Sequence, residues 1–315
     1  MRRVAQSKTG PRWWLGLGLA LLTGGPPNSA GQTSSLAVTP SADAFVRSLA
    51  SGNNYGSAGA LSVSGAAAAN GQGQQNGLFD SLLRFPLSDP VNSFNRAFGS
   101  NHWVVVGVTL ALTEVAAPNN AIFNRGMGAF EVRWIANDTW VEGTGTPNAP
   151  TADGAAYQDL PSLLNPVSDV SLGQFTNSGL SGVVSFPLPL PGPLVSTITT
   201  GGDLNLYLKA ASASVGFTFN SRNFGTPSAW PSLTVAALAR PEATISAIEP
   251  LGANQVAIHF LTSSNWTYTL QRAIGVSSGT WTNLSTIPAK PLAGEATLED
   301  TRTKPQSYYR LLLAP

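Results

Sequence analysis

A period-two alternation of polar and apolar residues recurs along this 315-residue chain and limits what it can fold into. Ala42-Asp43-Ala44-Phe45-Val46-Arg47, Ser81-Leu82-Leu83-Arg84-Phe85 and Phe130-Glu131-Val132-Arg133-Trp134-Ile135 all follow it. Side chains of a strand point to opposite faces in turn, so such segments read as half-buried strands. The longest apolar run, Trp103 to Val115, alternates from Val108 through Leu110 to Leu112 and is rich in β-branched residues. A helix there would also have to tolerate Gly107, so a strand is the better reading. Helical periodicity is scarce, and the chain carries 32 glycines and 23 prolines to make turns. The expected class is all-β.

Further strands are expected at Leu36–Val38, Leu61–Val63, Leu82–Leu87, Gly182–Phe186, Leu204–Lys209, Phe217–Phe219 and Leu233–Leu238. About eight to ten strands joined by long connections fit a jelly-roll-like β-sandwich. Residues 65–77 (GAAAANGQGQQNG) read as an exposed low-complexity loop, and residues 160–173 as the one place for short helical turns. Arg240-Pro241-Glu242 marks an expected boundary, after which the pattern restarts on a smaller scale. Strands are expected at Thr244–Ile248, Gln255–Leu261, Tyr268–Ala273, Ala296–Glu299 and Tyr308–Leu312, with Trp266 and Trp281 as core or sheet-face residues.

The first 30 residues read as a secretory leader. Arg2, Arg3, Lys8 and Arg12 precede a short apolar core from Trp13 to Leu22, broken by Pro26-Pro27 and followed by the small residues Ser29, Ala30 and Gly31. No later apolar run is long enough to span a bilayer as a helix. The protein is therefore expected outside the cell or on its surface, with no transmembrane segment in the mature chain. Four of the 17 basic residues and none of the 16 acidic ones lie in the leader, leaving 13 against 16 beyond it. That balance argues against nucleic acid, whose binding needs a basic stripe. Only 10% of residues are charged, so neutral polar groups dominate the surface chemistry. The absence of cysteine excludes disulfides, thiolate metal sites and cysteine nucleophiles, and leans towards a bacterial source. A chain of this length can bury its cores without such staples.

The order of Ala42–Arg47, then Asn54-Tyr55-Gly56-Ser57, then Ser81–Phe85 resembles the opening of DNRLRE-type domains. These are β-sandwich modules of secreted microbial proteins, grouped with carbohydrate-binding modules. Val108-Thr109-Leu110 with Leu112 resembles the family's central strand. Asn137-Asp138-Thr139-Trp140-Val141-Glu142-Gly143 resembles its Asp/Asn-x-Trp-x-Glu-Gly turn, and Phe219–Asn223 followed by Pro231-Ser232-Leu233 its closing segment. The likeness covers residues 36–240. One departure is Asn223, which stands where the family usually carries an acid after the Ser-Arg pair, removing a charge. Residues 243–315 resemble a small fibronectin-III-like or immunoglobulin-like module, through Tyr268-Thr269-Leu270-Gln271, Trp281, Asp300 and Tyr308-Tyr309-Arg310.

Three groups of residues are the candidates for function. Tyr55, Trp140 and Trp230 sit in loop contexts, where flat rings can stack on sugars or pack into the loops themselves. Asp43, Asn54, Arg84, Glu142 and Arg222 form an expected loop network. Glu142 has two readings, a ligand for a sugar hydroxyl or cation, or a pin paired with Arg84 or Arg222. Asp43, Asn53 and Asn54 offer oxygens for a structural Ca²⁺, against the alternative of Asx-turn hydrogen bonds. No cofactor is required.

Enzyme readings are poorer. Only His102 and His259 exist, and neither has the setting of a catalytic triad. Gly179-Leu180-Ser181-Gly182 is not a nucleophile elbow. Gly71-Gln72-Gly73 lacks the spacing of a dinucleotide loop. Glu131, Asp138 and Glu142 would serve a glycosidase only if two of them faced each other across a cleft. The expected function is non-catalytic binding of an extracellular polysaccharide or cell-surface glycan. The alternatives are a structural or adhesive surface protein with sandwich spacers, and a polysaccharide hydrolase or lyase.

Overall fold

The computed structural model describes residues 32–70, 72–115, 122, 125–179, 182–275, 280–302 and 306–315. The expected leader lies outside them, as do Gly71 and the middle of Gly179-Leu180-Ser181-Gly182. The described chain is mostly β. In order it forms β1 (Thr33–Val38), β2 (Ala42–Arg47), β3 (Ala60–Ser64), β4 (Phe79–Pro86), α1 (Ser88–Phe98), β5 (Trp103–Thr113) and β6 (Gly128–Ile135). There follow α2 (Leu160–Leu163), β7 (Val170–Asn177), β8 (Val183–Leu188), α3 (Gly192–Thr200), β9 (Asp203–Ala210), β10 (Gly216–Asn220) and β11 (Ser232–Ala239).

These strands make two antiparallel sheets. One has the order β1-β11-β5-β8; the other runs β10-β3-β4-β9-β6-β7, with β2 also paired to β4. A single apolar core lies between them, joining Val108, Leu110 and Leu112 of β5 to Leu83 and Phe85 of β4, Phe130 and Val132 of β6, and Leu204, Leu206 and Leu208 of β9. A second cluster covers the opposite face of the larger sheet. Ala42, Ala44 and Val46 of β2, Leu82 of β4 and Tyr207 of β9 pack there against Trp140, Ala155 and Leu160. Burial on both faces explains why five of the six residues of β2 are buried, although its sequence alternates.

The remaining strands are β12 (Ile245–Pro250), β13 (Gln255–Thr262), β14 (Thr267–Ala273), β15 (Thr282–Ile287), β16 (Gly294–Thr301) and β17 (Tyr308–Ala314). They form two three-stranded antiparallel sheets, β12-β13-β16 and β15-β14-β17. Their shared core is built on Val256, Ile258, Phe260, Trp266, Tyr268 and Leu270, with Val104 and Leu238 of the preceding sheets packed at its margin.

Some elements depart from the sequence reading. The helix α1 was not expected, although Ser88-Asp89-Pro90 opens it and Val91, Phe94 and Phe98 lie on one face above the core. The segment Val195–Thr200 has β-branched composition but is helical in α3. There Thr197, Thr199 and Thr200 return their hydroxyls to the carbonyls of Pro193, Val195 and Ser196, and Leu194 and Ile198 are fully buried. Core burial outweighs strand propensity at this position. Strands β7 and β15 were also unforeseen; both lie at sheet edges and carry few buried residues. Among the described residues no helix is long and apolar enough to cross a membrane.

Candidate functional site

The densest polar constellation forms where the connection after β6 folds back over β2 and the segment after β10. Glu142 stands at its centre. Arg222 Nη1 donates to Glu142 Oε2 at 2.7 Å, and Asn223 Nδ2 donates to Oε1 at 2.9 Å. The backbone N–H of Asp43 lies 3.4 Å from the same Oε1. Of the two pairings expected for Glu142, the arginine is therefore Arg222 and not Arg84. Asn223 also donates to the carbonyl of Gly56 at 2.8 Å. An acid at that position would face Glu142 and lose both bonds, so the asparagine is chemically matched to this network.

Asp43 is fully buried on β2. Its Oδ2 accepts the backbone N–H of Arg222 at 2.7 Å, while Oδ1 has no hydrogen-bond partner among the described residues. Burial raises its carboxyl to about 8, against the lowering effect of that hydrogen bond, and the charge of Glu142 adds to the rise. At neutral pH a retained proton leaves the trio of Asp43, Glu142 and Arg222 without net charge.

Asn54, also fully buried, clamps three stretches of chain. Its Nδ2 donates to the carbonyls of Glu142 (2.7 Å) and Ala155 (2.9 Å), and its Oδ1 accepts the N–H groups of Gly56 (3.0 Å) and Gly145 (3.1 Å). Space is so tight that a Cβ on Gly56 would overlap the carbonyl of Glu142. Gly143, with φ of +76°, would run into the Asn54 amide if it had one.

Arg84 holds the other end of the same connection. Its Nη2 donates to the carbonyls of Asp138 (2.7 Å) and Trp140 (2.6 Å), and its guanidinium lies 4.7 Å from the centre of the Trp140 ring. Asn205 Oδ1 accepts from both Arg84 Nε (3.1 Å) and Trp140 Nε1 (2.8 Å). Asn205 escaped sequence reasoning because it sits inside an otherwise apolar strand, Leu204-Asn205-Leu206. A buried asparagine between two leucines was the available signal. So was the buried Asp80, whose carboxylate accepts the Tyr207 hydroxyl at 2.7 Å and is raised by burial to about 6.

The three aromatic candidates do not form a sugar platform, which corrects that expectation. Tyr55 is buried in the core between the sheets, stacked on Phe45 with ring centres 4.6 Å apart. Trp140 is buried in the cluster on the opposite face of the larger sheet. Only Trp230 is half-exposed, and its Nε1 donates to the carbonyl of Phe224 at 2.6 Å. The first two rings therefore face opposite sides of one sheet and share no surface. Loop position misled because these loops are themselves lids over apolar clusters.

Of the residues considered for calcium, Asp43 accepts the Arg222 backbone N–H at Oδ2 and keeps Oδ1 buried, without a partner among the described residues. Asn54 Oδ1 is taken by two backbone N–H groups, and Asn53 donates its amide to the Tyr55 hydroxyl at 3.3 Å. Among the described residues no three histidine or carboxylate side chains gather as metal ligands. Glu131, another of the three carboxylates considered for catalysis, is held by Arg133 (2.8 Å) and Lys209 (3.4 Å) on the strands β6 and β9.

No protein-family model matches this chain, and no curated protein does. Among solved structures it is weakly similar to a β-1,2-glucanase from Parabacteroides distasonis, with 11% identity and a TM-score of 0.19 over 90% of this chain. A second is the Endo-D glycoside hydrolase domain from Streptococcus pneumoniae R6, with 8% identity and a TM-score of 0.15 over 87% of this chain. The chain spans about a third of each of those proteins, 35% and 32% respectively. Likeness at these scores carries no argument about fold or activity.

Proposed function

We propose that this chain is an exported, non-catalytic module protein of the cell surface or extracellular space. Its larger unit, a jelly-roll-like sandwich of the DNRLRE type, acts as a rigid structural spacer, and its smaller unit is a fibronectin- or immunoglobulin-like module. The leader-like opening sequence supports export. The observation that carries the spacer reading is how the conspicuous polar groups are used. Asp43, Asn54, Arg84, Glu142 and Arg222 direct their hydrogen bonds to backbone, to one another and to Asn205 and Asn223, fastening the connection over residues 137–156 to the sheet. Two atoms of this set without a partner among the described residues, Asp43 Oδ1 and Arg222 Nε, are themselves buried, so the network acts within the fold. Two of the three candidate rings are likewise inside.

Two measurements test this reading. Cell fractionation with N-terminal sequencing of the expressed full chain should find it outside the cytoplasm with its first 30 or so residues removed. Incubation with a polysaccharide panel should release no reducing ends. Release that Glu142→Gln or Asp43→Asn abolishes, in variants that still fold, would make those carboxylates catalytic and overturn the spacer reading.

A further inference from the structure

The two sheets of the C-terminal unit differ sharply in charge. Strands β12, β13 and β16 carry Glu249, Glu295, Glu299 and Asp300 and no lysine or arginine. Strands β14, β15 and β17 carry no acid at all, and their charged residues are Arg272 and Arg310. Arg272 is committed to the space between the sheets, with Nη1 at 2.9 Å from both oxygens of Asp300. Arg310 points the other way and is exposed.

Strand register places Arg310 in a cross-strand row on the outer face. Gln271 lies opposite Arg310 on one side and Asn283 on the other. Arg310 Nε donates to Gln271 Oε1 at 2.7 Å, and Gln271 Nε2 donates to Asn283 Oδ1 at 2.6 Å. The arginine reaches across β14 until its guanidinium lies 4.2 Å from the centre of the half-exposed Trp281 ring. The next row along the same face holds Thr286, Thr269 and Leu312, with the two threonine hydroxyls 3.0 Å apart. The face thus presents a cation on an indole, held in place by a buried amide and bordered by amides and hydroxyls.

We propose that this outer face of the β15-β14-β17 sheet binds an acidic polysaccharide. Arg310 takes a sugar carboxylate, Trp281 packs beside the ring, and Asn283, Thr269 and Thr286 meet its hydroxyls. Gln271 is a positioning residue, because it orients Arg310. Charge complementarity selects the occupant. A planar guanidinium with no acid on its own sheet matches a carboxylate, and the surrounding groups match neutral hydroxyls. A single cation without a basic stripe does not match nucleic acid. The acids of the other sheet direct such a ligand to this side.

Affinity electrophoresis of the full chain through gels containing polygalacturonate, or dextran as the neutral control, tests the assignment. Retardation is expected in polygalacturonate alone, with apparent affinity falling about tenfold or more in Arg310→Gln and in Trp281→Ala. Glu299→Gln on the acidic sheet should leave it unchanged. Circular dichroism and melting of each variant separate lost contacts from lost folding, and Arg310→Gln keeps most of the side-chain volume. The proposal fails if the wild type is not retarded, if dextran retards it equally, or if folded Arg310→Gln binds as before. Equal binding to phosphatidylserine vesicles through Arg310 would make this a general anion surface and also overturn it. These outcomes are independent of the spacer reading, which reducing-end release tests at Glu142 and Asp43.

Discussion

Two arginine–tryptophan stacks stand among the described residues, Arg84 over Trp140 and Arg310 over Trp281, at 4.7 and 4.2 Å from the ring centres. They are chemically the same pair in opposite circumstances. Trp140 is buried in an apolar cluster, its indole N–H is given to Asn205, and Arg84 is spent on two backbone carbonyls. Trp281 is half-exposed, and Arg310 is exposed with an amide ladder behind it. The first stack fastens a long connection to a sheet. The second holds a charge in a fixed place on an open face. Residue type therefore says little about role; what decides it is where the remaining donors and apolar faces go.

The sharpest way to break that contrast is to delete both indoles. Trp140→Ala should lower unfolding free energy by about 3–5 kcal/mol in denaturant titration, because it empties a buried site and takes from Asn205 one of its two donors, leaving Arg84 Nε alone. A loss under about 1 kcal/mol would mean the lid does not depend on this ring. Next in size is Glu142→Gln, which removes the anion from a partly buried pair. About 1–3 kcal/mol should be lost, with Arg222 left beside a neutral amide.

Asp43→Asn sharpens the comparison through pH. In the unfolded chain this carboxyl has the ordinary value of 3.8, and in the fold it is raised to about 8. Below the lower value both states are protonated and the wild type pays nothing for the buried group. As pH rises the unfolded chain ionises first, so wild-type stability drains between about 4 and 8 and is level above that. The asparagine variant lacks this term. Its melting temperature relative to wild type should climb with pH across that window, and a flat difference would show that Asp43 ionises normally in the fold. Smallest of all is Trp281→Ala, expected to change stability by less than about 1 kcal/mol, since its ring is only half-covered.

Much of the β framework was legible in sequence. Segments such as Phe130–Ile135 and Tyr268–Ala273 carry the alternation of a half-buried strand and are strands. Asn223 reads in sequence only as a departure though it donates to Glu142, whereas Asp43, Asn54 and Arg222 around Glu142 were legible as members of one loop network. Their exact partners were not. Glu142 and Arg222 are 80 residues apart, and nothing local prefers Arg222 to Arg84. The helix α2 falls where helical turns were expected, but α1 and α3 escaped for a different reason. In α3 the threonines favour strand locally, and only the burial of Leu194 and Ile198 makes helix the better choice.

By itself, then, the sequence determined that this is a mostly β chain with few charges and no cysteine, because alternation and composition are local properties. Only the tertiary structure decided which aromatic rings are inside. Tyr55 and Trp140 lie in turn-rich segments that read as exposed, yet Tyr55 stacks on Phe45 inside the core and Trp140 is covered by residues far away in the chain. Burial is a property of what packs on a side chain, and at Trp140 that is Arg84, 56 residues earlier, and Asn205, 65 residues later.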